Sequence, residues 1–444
     1  MSPHFLEGII APKRIAVFGA SDEAGNLGQM LYANLLAQSF DGELHAINPR
    51  RDTVQGRTAY RDLDALNEPV DTALIATPAR SVPGILRQCG RHGVRGAVVL
   101  SAGFRETGEA GLRLEREMLD IARKYGIRVV GPNCLGVMRP GANFNATFSK
   151  NQALPGNIGL VSQSGAICTA VLDWAESQQI GFSTVVSVGN AADVHFADVL
   201  DYLALDRKTR SILLYIQGVC DARGFVSGLR AAARMKPVVV IKPGRNIESS
   251  RAAMSHTGSL IGADDVFDAA LERAGVVRAT TVTQLFAAAR VLSEGHAVNG
   301  NRLAIVTNAG GPGVMAADRA LDLDLALAEL SEATLQTLDG KLPGYWSRGN
   351  PVDVLGDAGP KRFEAALQAC LNDPGVDGVI AMLTPQAMTE PLGVARVTSN
   401  LARGARKPLL GCWLGEKQVQ PAREHSTRER LAHFRTPEAA VEAF

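Results

Sequence analysis

The sequence is poor in aromatic residues and nearly balanced in charge, and each feature excludes a class of protein. Aromatic residues make up 5% of the 444 residues, which argues against a surface that stacks nucleic-acid bases. The formal net charge of +1 gives no electrostatic reason to expect nucleic acid or an anionic membrane as a partner. No apolar run is long enough to cross a bilayer, and the N-terminus lacks the layout of a signal peptide.

Cysteine is also scarce and is scattered along the chain. The six cysteines form no CxxC pair and no cluster with the spacing of zinc ligands, so we expect no metal site. We expect reduced, mostly buried thiols in a cytoplasmic protein: Cys89, Cys134, Cys168, Cys220, Cys370 and Cys412.

What the sequence does contain is a repeated alternation of strand and helix patterns. Short β-branched runs such as RIAVFG, TALIATP and GAVVLSAG alternate with amphipathic segments almost from end to end. This predicts an α/β fold of three doubly wound parallel-sheet domains, a Rossmann-like domain followed by two flavodoxin-like domains. We place them at residues 1–148, 149–296 and 301–444, with GHAVNGNR as a linker. Ligands are expected at the carboxyl ends of the strands.

The first glycine-rich loop predicts a nucleotide site unlike an NAD site. Strand IAVF leads through Gly19 to a helix, whose first N–H groups favour a phosphate. Ser21 replaces the middle glycine of the dinucleotide motif. The next strand ends in Asn48, Arg50 and Arg51 instead of an acidic residue. These residues suit a ribose phosphate such as the 3′-phosphate of coenzyme A. The alternative is a structural turn with solvated arginines.

A second strand–loop–helix junction reads VSQSG. The hydroxyls of Ser162 and Ser164, together with Gly165 at a helix N-terminus, predict a cradle for phosphate or an acyl phosphate. Helix capping by the serines is an equally good interpretation. His256 lies in a loop rich in Ser, Thr and Gly, where an imidazole can act as a nucleophile, although most loop histidines have no catalytic role.

Taken together, these motifs resemble the CoA-binding part of NDP-forming acyl-CoA synthetases, the relatives of the succinyl-CoA synthetase alpha subunit. The chain also resembles the corresponding half of bacterial protein lysine acetyltransferases. The resemblance covers essentially the whole chain and rests on IAVFGAS, GPNCLG, LVSQSGA, SHTGSLIG, VTNAGGPG and NPVDVLGDA.

The resemblance implies roles for individual residues. The site for CoA or acetyl-CoA would contain Gly19, Ser21, Asn48, Arg50 and Asn133. Phosphate would be held by Ser162, Ser164, Gly165 and Asn190, with Asp193 near the same centre. His256 would carry the phosphoryl group.

One residue departs from the family pattern. The family commonly has glutamate at the end of strand SILLYI, where it bonds the active histidine, and this chain has Gln217. Glutamine can accept a hydrogen bond but lacks the charge that stabilises an imidazolium. The departure indicates slower phosphorylation, a degenerate site or a harmless substitution.

The resemblance also implies parts that the sequence does not display. The expected reaction converts acyl-CoA and phosphate into acyl phosphate and CoA, with phosphoryl transfer through His256. The family needs an ATP-grasp domain for ADP, ATP and magnesium, and no third of this chain looks like one. We therefore expect an ATP-grasp domain or subunit as partner, and an oligomer. The third domain is expected mainly to help assembly, although Gly310 and Gly311 follow a strand and would suit a phosphate.

Two alternatives to the synthetase remain open. One is an acetyl-CoA-sensing module that regulates a lysine acetyltransferase, which the substitution at Gln217 favours. The other is a nicotinamide oxidoreductase, against which Asn48 and Arg50 argue.

Overall fold

The computed structural model describes residues 4–66, 68–246, 264–294, 298 and 300–444. The chain divides into two compact units, Met1–Leu285 and Phe286–Phe444, which are described separately. No helix among the described residues is both long and apolar enough to cross a membrane.

The first half of unit 1 forms a largely parallel sheet. Its strands are β1 (Arg14–Phe18), β2 (Glu43–Ile47), β3 (Thr53–Val54), β4 (Arg57–Tyr60), β5 (Thr72–Ile75), β6 (Gly96–Val99) and β7 (Arg128–Val130). The helices of this part are α1 (Glu7–Ile10), α2 (Leu27–Ala37), α3 (Val82–Arg91) and α4 (Glu109–Tyr125). The strand order is β3-β4-β2-β1-β5-β6-β7, and only β3 runs antiparallel to its neighbour. Strands β5 and β6 are buried along their whole length, as expected for a sheet covered on both faces.

The second half of unit 1 forms another sheet with a parallel centre. Its strands are β8 (Gly136–Arg139), β9 (Phe144–Thr147), β10 (Leu154–Ser162), β11 (Gly181–Ser187), β12 (Ser211–Tyr215), β13 (Val238–Ile241) and β14 (Val277–Ala279). Its described helices are α5 (Gly165–Ser177), α6 (Phe196–Leu205), α7 (Ala222–Ala233) and α8 (Asp264–Ala274). The order is β14-β13-β12-β10-β11-β8-β9, with β8 antiparallel to β11 and β9 antiparallel to β8.

Unit 2 contains the third sheet, in which every recorded pair of strands is parallel. Its strands are β15 (Arg302–Thr307), β16 (Ala326–Leu327), β17 (Val352–Asp353), β18 (Gly378–Leu383), β19 (Leu409–Trp413) and β20 (His433–Phe434). The helices are α9 (Val282–Ser293), which begins in unit 1, α10 (Gly310–Asp322), α11 (Glu332–Asp339), α12 (Pro360–Asn372), α13 (Pro391–Gly404), α14 (Gln420–Arg428) and α15 (Pro437–Ala443). The order is β16-β15-β18-β19-β20, and β17 pairs with β15.

The predicted α/β architecture with three sheets is confirmed, but two strands belong to a different sheet than expected. The segment GPNCLGVMRPGANFNATFS lies almost entirely before the predicted boundary at residue 148, yet it supplies β8 and β9 to the second sheet. Val137 and Met138 pair with Val186 and Val185 of β11 across an antiparallel edge. The proposed boundary at residue 148 therefore follows two strands that already belong to the second sheet.

Five of the six cysteines are buried, and Cys220 is exposed. Burial raises the pKa of the five buried thiols to about 12, so they stay protonated at neutral pH: Cys89, Cys134, Cys168, Cys370 and Cys412.

Candidate active site

The loop between β1 and α2 depends on two glycines. Gly19 has a φ of +88°, and a Cβ atom there would lie 2.8 Å from the carbonyl oxygen of Ala76. A Cβ atom on Gly28 would lie 1.8 Å from the carbonyl oxygen of Gly19, so the helix packs directly on the loop backbone. Asn26 caps α2 by accepting a hydrogen bond from the Gly28 N–H at 2.9 Å. The loop thus brings a helix N-terminus close to the end of β1, the arrangement that binds phosphate groups.

Asn48 joins the loops that follow β1 and β2. Its Nδ2 donates to the carbonyl oxygen of Ala20 at 2.9 Å, and its Oδ1 accepts from the Arg50 N–H at 2.9 Å. Both ends of its amide are therefore engaged by backbone, and Asn48 shapes the site more than it offers a free group. The exposed Arg50 guanidinium forms no hydrogen bond or ion pair with the described residues. It is the cation in this loop that is free to meet an anion.

Further contacts of Arg51, Gln55 and Ser21 hold the same loop. Arg51 pairs with Asp22 at 3.3 Å, so its charge is partly neutralised. Gln55 donates from Nε2 to the carbonyl oxygens of Ser21 and Gln29, at 3.0 and 2.9 Å. The hydroxyl oxygen of Ser21 itself accepts from the Glu23 N–H at 3.0 Å. No sequence motif marks Gln55, because its role depends on the turn between β3 and β4.

Asn133 lies where the two sheets of unit 1 approach each other. It has a φ of +56°, and its N–H donates to the carbonyl oxygen of Ser101 at 3.0 Å. The loop after β11 runs beside it, since the Asn190 N–H donates to Pro132 and the Ala192 N–H donates to Gly131, at 2.9 and 3.0 Å. The Asn133 and Asn190 side chains meet at 3.4 Å. Two predicted site residues, one from each sheet, are thus brought together.

Asn190 contacts carboxylates. Its Nδ2 donates to Glu106 at 2.6 Å and to Glu115 at 3.3 Å, and the buried Glu115 also pairs with Arg105 at 2.7 Å. Burial raises the pKa of Glu106, whereas hydrogen bonds from Asn190 and from the N–H groups of Gly103 and Phe104 lower it. The hydrogen bonds have the larger effect together, so the pKa lies below its ordinary value. The amide nitrogen of Asn190 is therefore engaged by anions, which favours a positioning role over direct contact with phosphate.

The VSQSG junction combines a capped helix with free N–H donors. Ser164 caps α5, accepting from the Ile167 N–H at 3.3 Å. The fully buried Ser162 hydroxyl donates to the Ser164 carbonyl oxygen at 2.8 Å and accepts from the Ser164 N–H at 3.0 Å. The N–H groups of Gly165 and Ala166, at the start of the helix, form no hydrogen bond with the described residues. Capping therefore leaves two N–H donors to meet an anion.

Gln163 links this junction to Gln217. Its Oε1 accepts from the backbone N–H of Gln217 at 2.5 Å and of Gly218 at 2.9 Å. The Gln217 side chain hydrogen-bonds the Tyr215 phenol, which partly offsets the rise in the pKa of Tyr215 that burial causes. Gln163 stands inside the SQSG motif, so position alone could have drawn attention to it. His256 lies outside the described residues.

A cavity of about 210 Å³ opens at this edge of the second sheet. Residues that follow three neighbouring strands line it, including Gln163, His195, Val219 and Cys220. Asp193 also lines it, but its carboxylate accepts from Arg128 Nε at 3.0 Å and from the Val129 N–H at 2.8 Å. Asp193 therefore fixes the edge of the first sheet.

Unit 2 repeats the local geometry of the VSQSG junction. The Thr307 hydroxyl donates to the Ala309 carbonyl oxygen at 3.0 Å and accepts from its N–H at 3.1 Å, as Ser162 does with Ser164. Asn308 exchanges hydrogen bonds with the backbone of Thr384 after β18, at 2.8 Å each, in the position of Gln163. Helix α10 then starts at Gly310. The third domain therefore carries a second strand–turn–helix junction of the same construction.

Three glycine-containing strand–helix junctions on doubly wound sheets define a class of α/β proteins that bind nucleotides and phosphate. Family models also divide the chain into three parts, each of which contains one of these junctions. A "CoA binding domain" matches residues 13–140, a "Succinyl-CoA ligase like flavodoxin domain" matches 155–292, and a "Ligase-CoA domain" matches 303–442.

Similar proteins cover almost the whole chain. The ADP-forming acetate–CoA ligase I of Archaeoglobus fulgidus is 41% identical over 99% of this chain, which spans 62% of that ligase. The alpha subunit of the ADP-forming acetate–CoA ligase I of Pyrococcus furiosus is 37% identical, with 99% of this chain and 96% of that subunit covered. The structure of the acetyl-CoA synthetase 1 of Candidatus Korarchaeum cryptofilum, in complex with phosphate and ADP, matches with a TM-score of 0.95 and 35% identity, covering 99% of this chain and 95% of that one.

The chain belongs to the family of NDP-forming acyl-CoA synthetases and corresponds to the alpha part of ADP-forming acetate–CoA ligases. The resemblance drawn from the sequence motifs is thereby confirmed. The chain spans less than two thirds of the length of several relatives, including the Archaeoglobus and Methanocaldococcus jannaschii ligases.

Proposed function

We propose that this chain catalyses the CoA-dependent half of acyl-CoA conversion and passes a phosphoryl group on through His256. The junction after β10 carries this proposal. Gly165 and Ala166 present two N–H groups, which form no hydrogen bond with the described residues, at the N-terminus of α5. A preorganised pair of donors stabilises the negative charge that develops when phosphate attacks a thioester.

CoA would bind across the carboxyl edge of the first sheet. The loop through Gly19 and Ser21 and the N-terminus of α2 would face the diphosphate, and Arg50 would meet the 3′-phosphate. Asn48 supports this arrangement by tying the two loops together. Asn133 would lie along the route of the pantetheine arm towards the second sheet, since it contacts the loop after β11.

The reaction would proceed in two steps, formation of acyl phosphate and transfer of its phosphoryl group to His256. A phosphate held by the Ser164 hydroxyl and the N–H groups of Gly165 and Ala166 attacks the thioester carbonyl. The carbon–sulfur bond breaks, acyl phosphate forms, and the proton of the phosphate passes to the sulfur, so that CoA leaves as a thiol. An imidazole nitrogen of His256 then attacks phosphorus, and the carboxylic acid leaves with the bridging oxygen. Asn190 would act in the first step by holding Glu106 and Glu115 in place.

Gln217 is the residue expected to limit the second step. Its backbone N–H is fixed by Gln163, so the side chain leaves the strand at a defined place. An amide oxygen at that position accepts a hydrogen bond from imidazole but does not stabilise its cation. We infer a slower transfer than a carboxylate would give.

The last transfer requires a nucleotide-binding partner. We propose an ATP-grasp domain or subunit that holds ADP and magnesium, with the acyl group being acetyl or another small acid. The Archaeoglobus and Methanocaldococcus ligases are longer than the part that this chain matches, which supports this proposal.

The experiment that tests the proposal uses acetyl-CoA and phosphate. Free CoA is measured by chromatography for the wild type, Ser164→Ala and Ser331→Ala. Both serines cap helices through their hydroxyl oxygens, so each variant should lose about 1 kcal/mol of unfolding free energy. Only Ser164→Ala should slow CoA release, by tenfold or more. Equal rates in both variants, or no release by the wild type, would contradict the proposal.

A second candidate is an acetyl-CoA-sensing module for a lysine acetyltransferase, which Gln217 favours. It predicts CoA binding without phosphate-dependent CoA release in the same assay.

A further inference from the structure

A cluster of charged residues lies beside the last two strands of the second sheet, apart from the loops described above. Lys242 follows β13, Arg278 lies on β14, and Asp264 is the first residue of α8. One oxygen of Asp264 lies 3.5 Å from Lys242 Nζ and 2.7 Å from Arg278 Nη2. Its other oxygen lies 3.6 Å from Arg245 Nε. A single carboxylate is therefore shared by three cations.

This cluster is largely removed from water. The side chains of Lys242, Asp264 and Arg278 are 4%, 15% and 10% exposed. Lys242 and Arg278 also lie over the ring of Phe267, at 5.2 and 5.6 Å from its centroid. Within the described part of the chain, Lys242 pairs with no carboxylate other than Asp264. Removing the Asp264 carboxylate would leave the buried Lys242 ammonium without compensation, which is strongly unfavourable.

The cluster joins residues on either side of the segment that contains His256. Lys242 precedes the segment that contains His256, and Asp264 follows it. The ion pair between them therefore joins the two ends of that segment, and Arg278 holds the joint to the sheet through β14, which pairs with β13. Partial burial raises the pKa of Asp264, whereas Arg278 and Lys242 lower it by more than burial raises it. The carboxylate therefore stays ionised at neutral pH.

We propose that Lys242, Asp264 and Arg278 form an ionic anchor that fixes both ends of the His256 segment for phosphoryl transfer. They are positioning residues, since they act through the segment and not on the reacting atoms. This inference rests on the proposed function, and it assigns to these residues the second chemical step alone.

The test compares Asp264→Asn with Asp268→Asn. Asp268 lies on the same helix and pairs with the same Arg278, but it is half exposed and does not pair with Lys242. Both substitutions remove one carboxylate at nearly constant volume. Lys242→Met removes the other half of the anchor and serves as a second variant, with circular dichroism to establish that each protein is folded.

The first readout is independent of catalysis. Limited digestion with trypsin is followed by mass spectrometry, and the cleavage rate after Arg251 is divided by the rate after Arg91, an exposed residue of α3. The anchor predicts that this ratio rises at least tenfold in Asp264→Asn and Lys242→Met, and that it stays within twofold of wild type in Asp268→Asn. An Asp264→Asn ratio equal to that of Asp268→Asn would overturn the proposal.

The second readout separates the two chemical steps. Release of CoA from acetyl-CoA by phosphate should stay within threefold of wild type in Asp264→Asn, while transfer of label from acetyl [³²P]phosphate to the protein should fall at least tenfold. A parallel fall of both rates would indicate a general structural role and overturn the proposal. If the wild type transfers no label, the proposed function fails, and the tryptic ratio still decides whether the anchor exists.

Discussion

The side-chain oxygen of Gln163 accepts a hydrogen bond from the backbone N–H of Gln217 at 2.5 Å. It accepts a second one from the N–H of Gly218 at 2.9 Å. One side chain thus satisfies two N–H groups at the end of β12 and ties them to the junction that begins α5. The proposed phosphate loop and the residue expected to face His256 are held together by this contact.

Replacing Gln163 with alanine is predicted to uncouple these two loops. Two partly buried N–H groups lose their acceptor, which should lower the unfolding free energy by about 1–3 kcal/mol. Asn308→Ala removes the equivalent contact with Thr384 in unit 2 and serves as the matched control. Urea unfolding should show similar losses, whereas phosphate-dependent CoA release should fall at least fivefold only in Gln163→Ala. Unchanged CoA release in that variant would refute the coupling.

Arg50 is predicted to recognise the 3′-phosphate of CoA. Calorimetry should give the wild type a higher affinity for CoA than for dephospho-CoA. Arg50→Ala should lose about 1 kcal/mol of binding free energy with CoA, roughly fivefold, and almost none with dephospho-CoA, because an exposed ion contact contributes little more. Arg91→Ala, an exposed charge on α3, is the control and should leave both affinities unchanged. An equal loss with both ligands would place Arg50 elsewhere in the site.

Asn190→Ala is predicted to change how stability depends on pH. The pKa of Glu106 in the folded protein is lower than its ordinary value, partly because Asn190 donates a hydrogen bond to it. A lowered pKa stabilises the fold above the pKa of the unfolded state, and this stability is lost as the pH falls through the folded-state pKa.

The substitution removes part of that effect. The variant should be less stable than the wild type by about 1.5–3 kcal/mol at pH 7, the range for a hydrogen bond to a charged group. The difference should be constant above about pH 5 and should shrink as the pH falls below the ordinary glutamate pKa of about 4.3 towards pH 3, as measured by urea unfolding. A difference that stays constant over the whole range would show that Glu106 is not the group responsible.

The positions of the strand–helix junctions were predictable because each is encoded locally. An apolar run that ends in glycine before a helical pattern identified the loops at Gly19, Ser162–Gly165 and Asn308–Gly310. Within each sheet, parallel pairing then places the ends of the strands at one edge, so each of these loops is expected at the carboxyl edge of its own sheet.

Contacts between distant residues were not predictable in the same way. Asn190 meets Glu106 only because the loop after β11 runs along the end of β7, and no local pattern encodes that approach. Strands β8 and β9 belong to the second sheet through antiparallel pairing at its edge. Their alternation of residues would fit an edge strand of the first sheet equally well, so the sequence pattern does not tell which sheet they join. The Lys242–Asp264 pair likewise joins the residue after β13 to the first residue of α8, and no local pattern encodes that contact.

The most direct test asks whether His256 accepts phosphate. The chain is incubated with acetyl-CoA and labelled phosphate, and acid-labile, base-stable label is counted on the protein for the wild type, His256→Ala and Gln217→Glu. We predict label on the wild type, none on His256→Ala and faster labelling of Gln217→Glu. Absence of label from both the wild type and Gln217→Glu, while calorimetry still detects CoA binding, would contradict the account and indicate a CoA-sensing module.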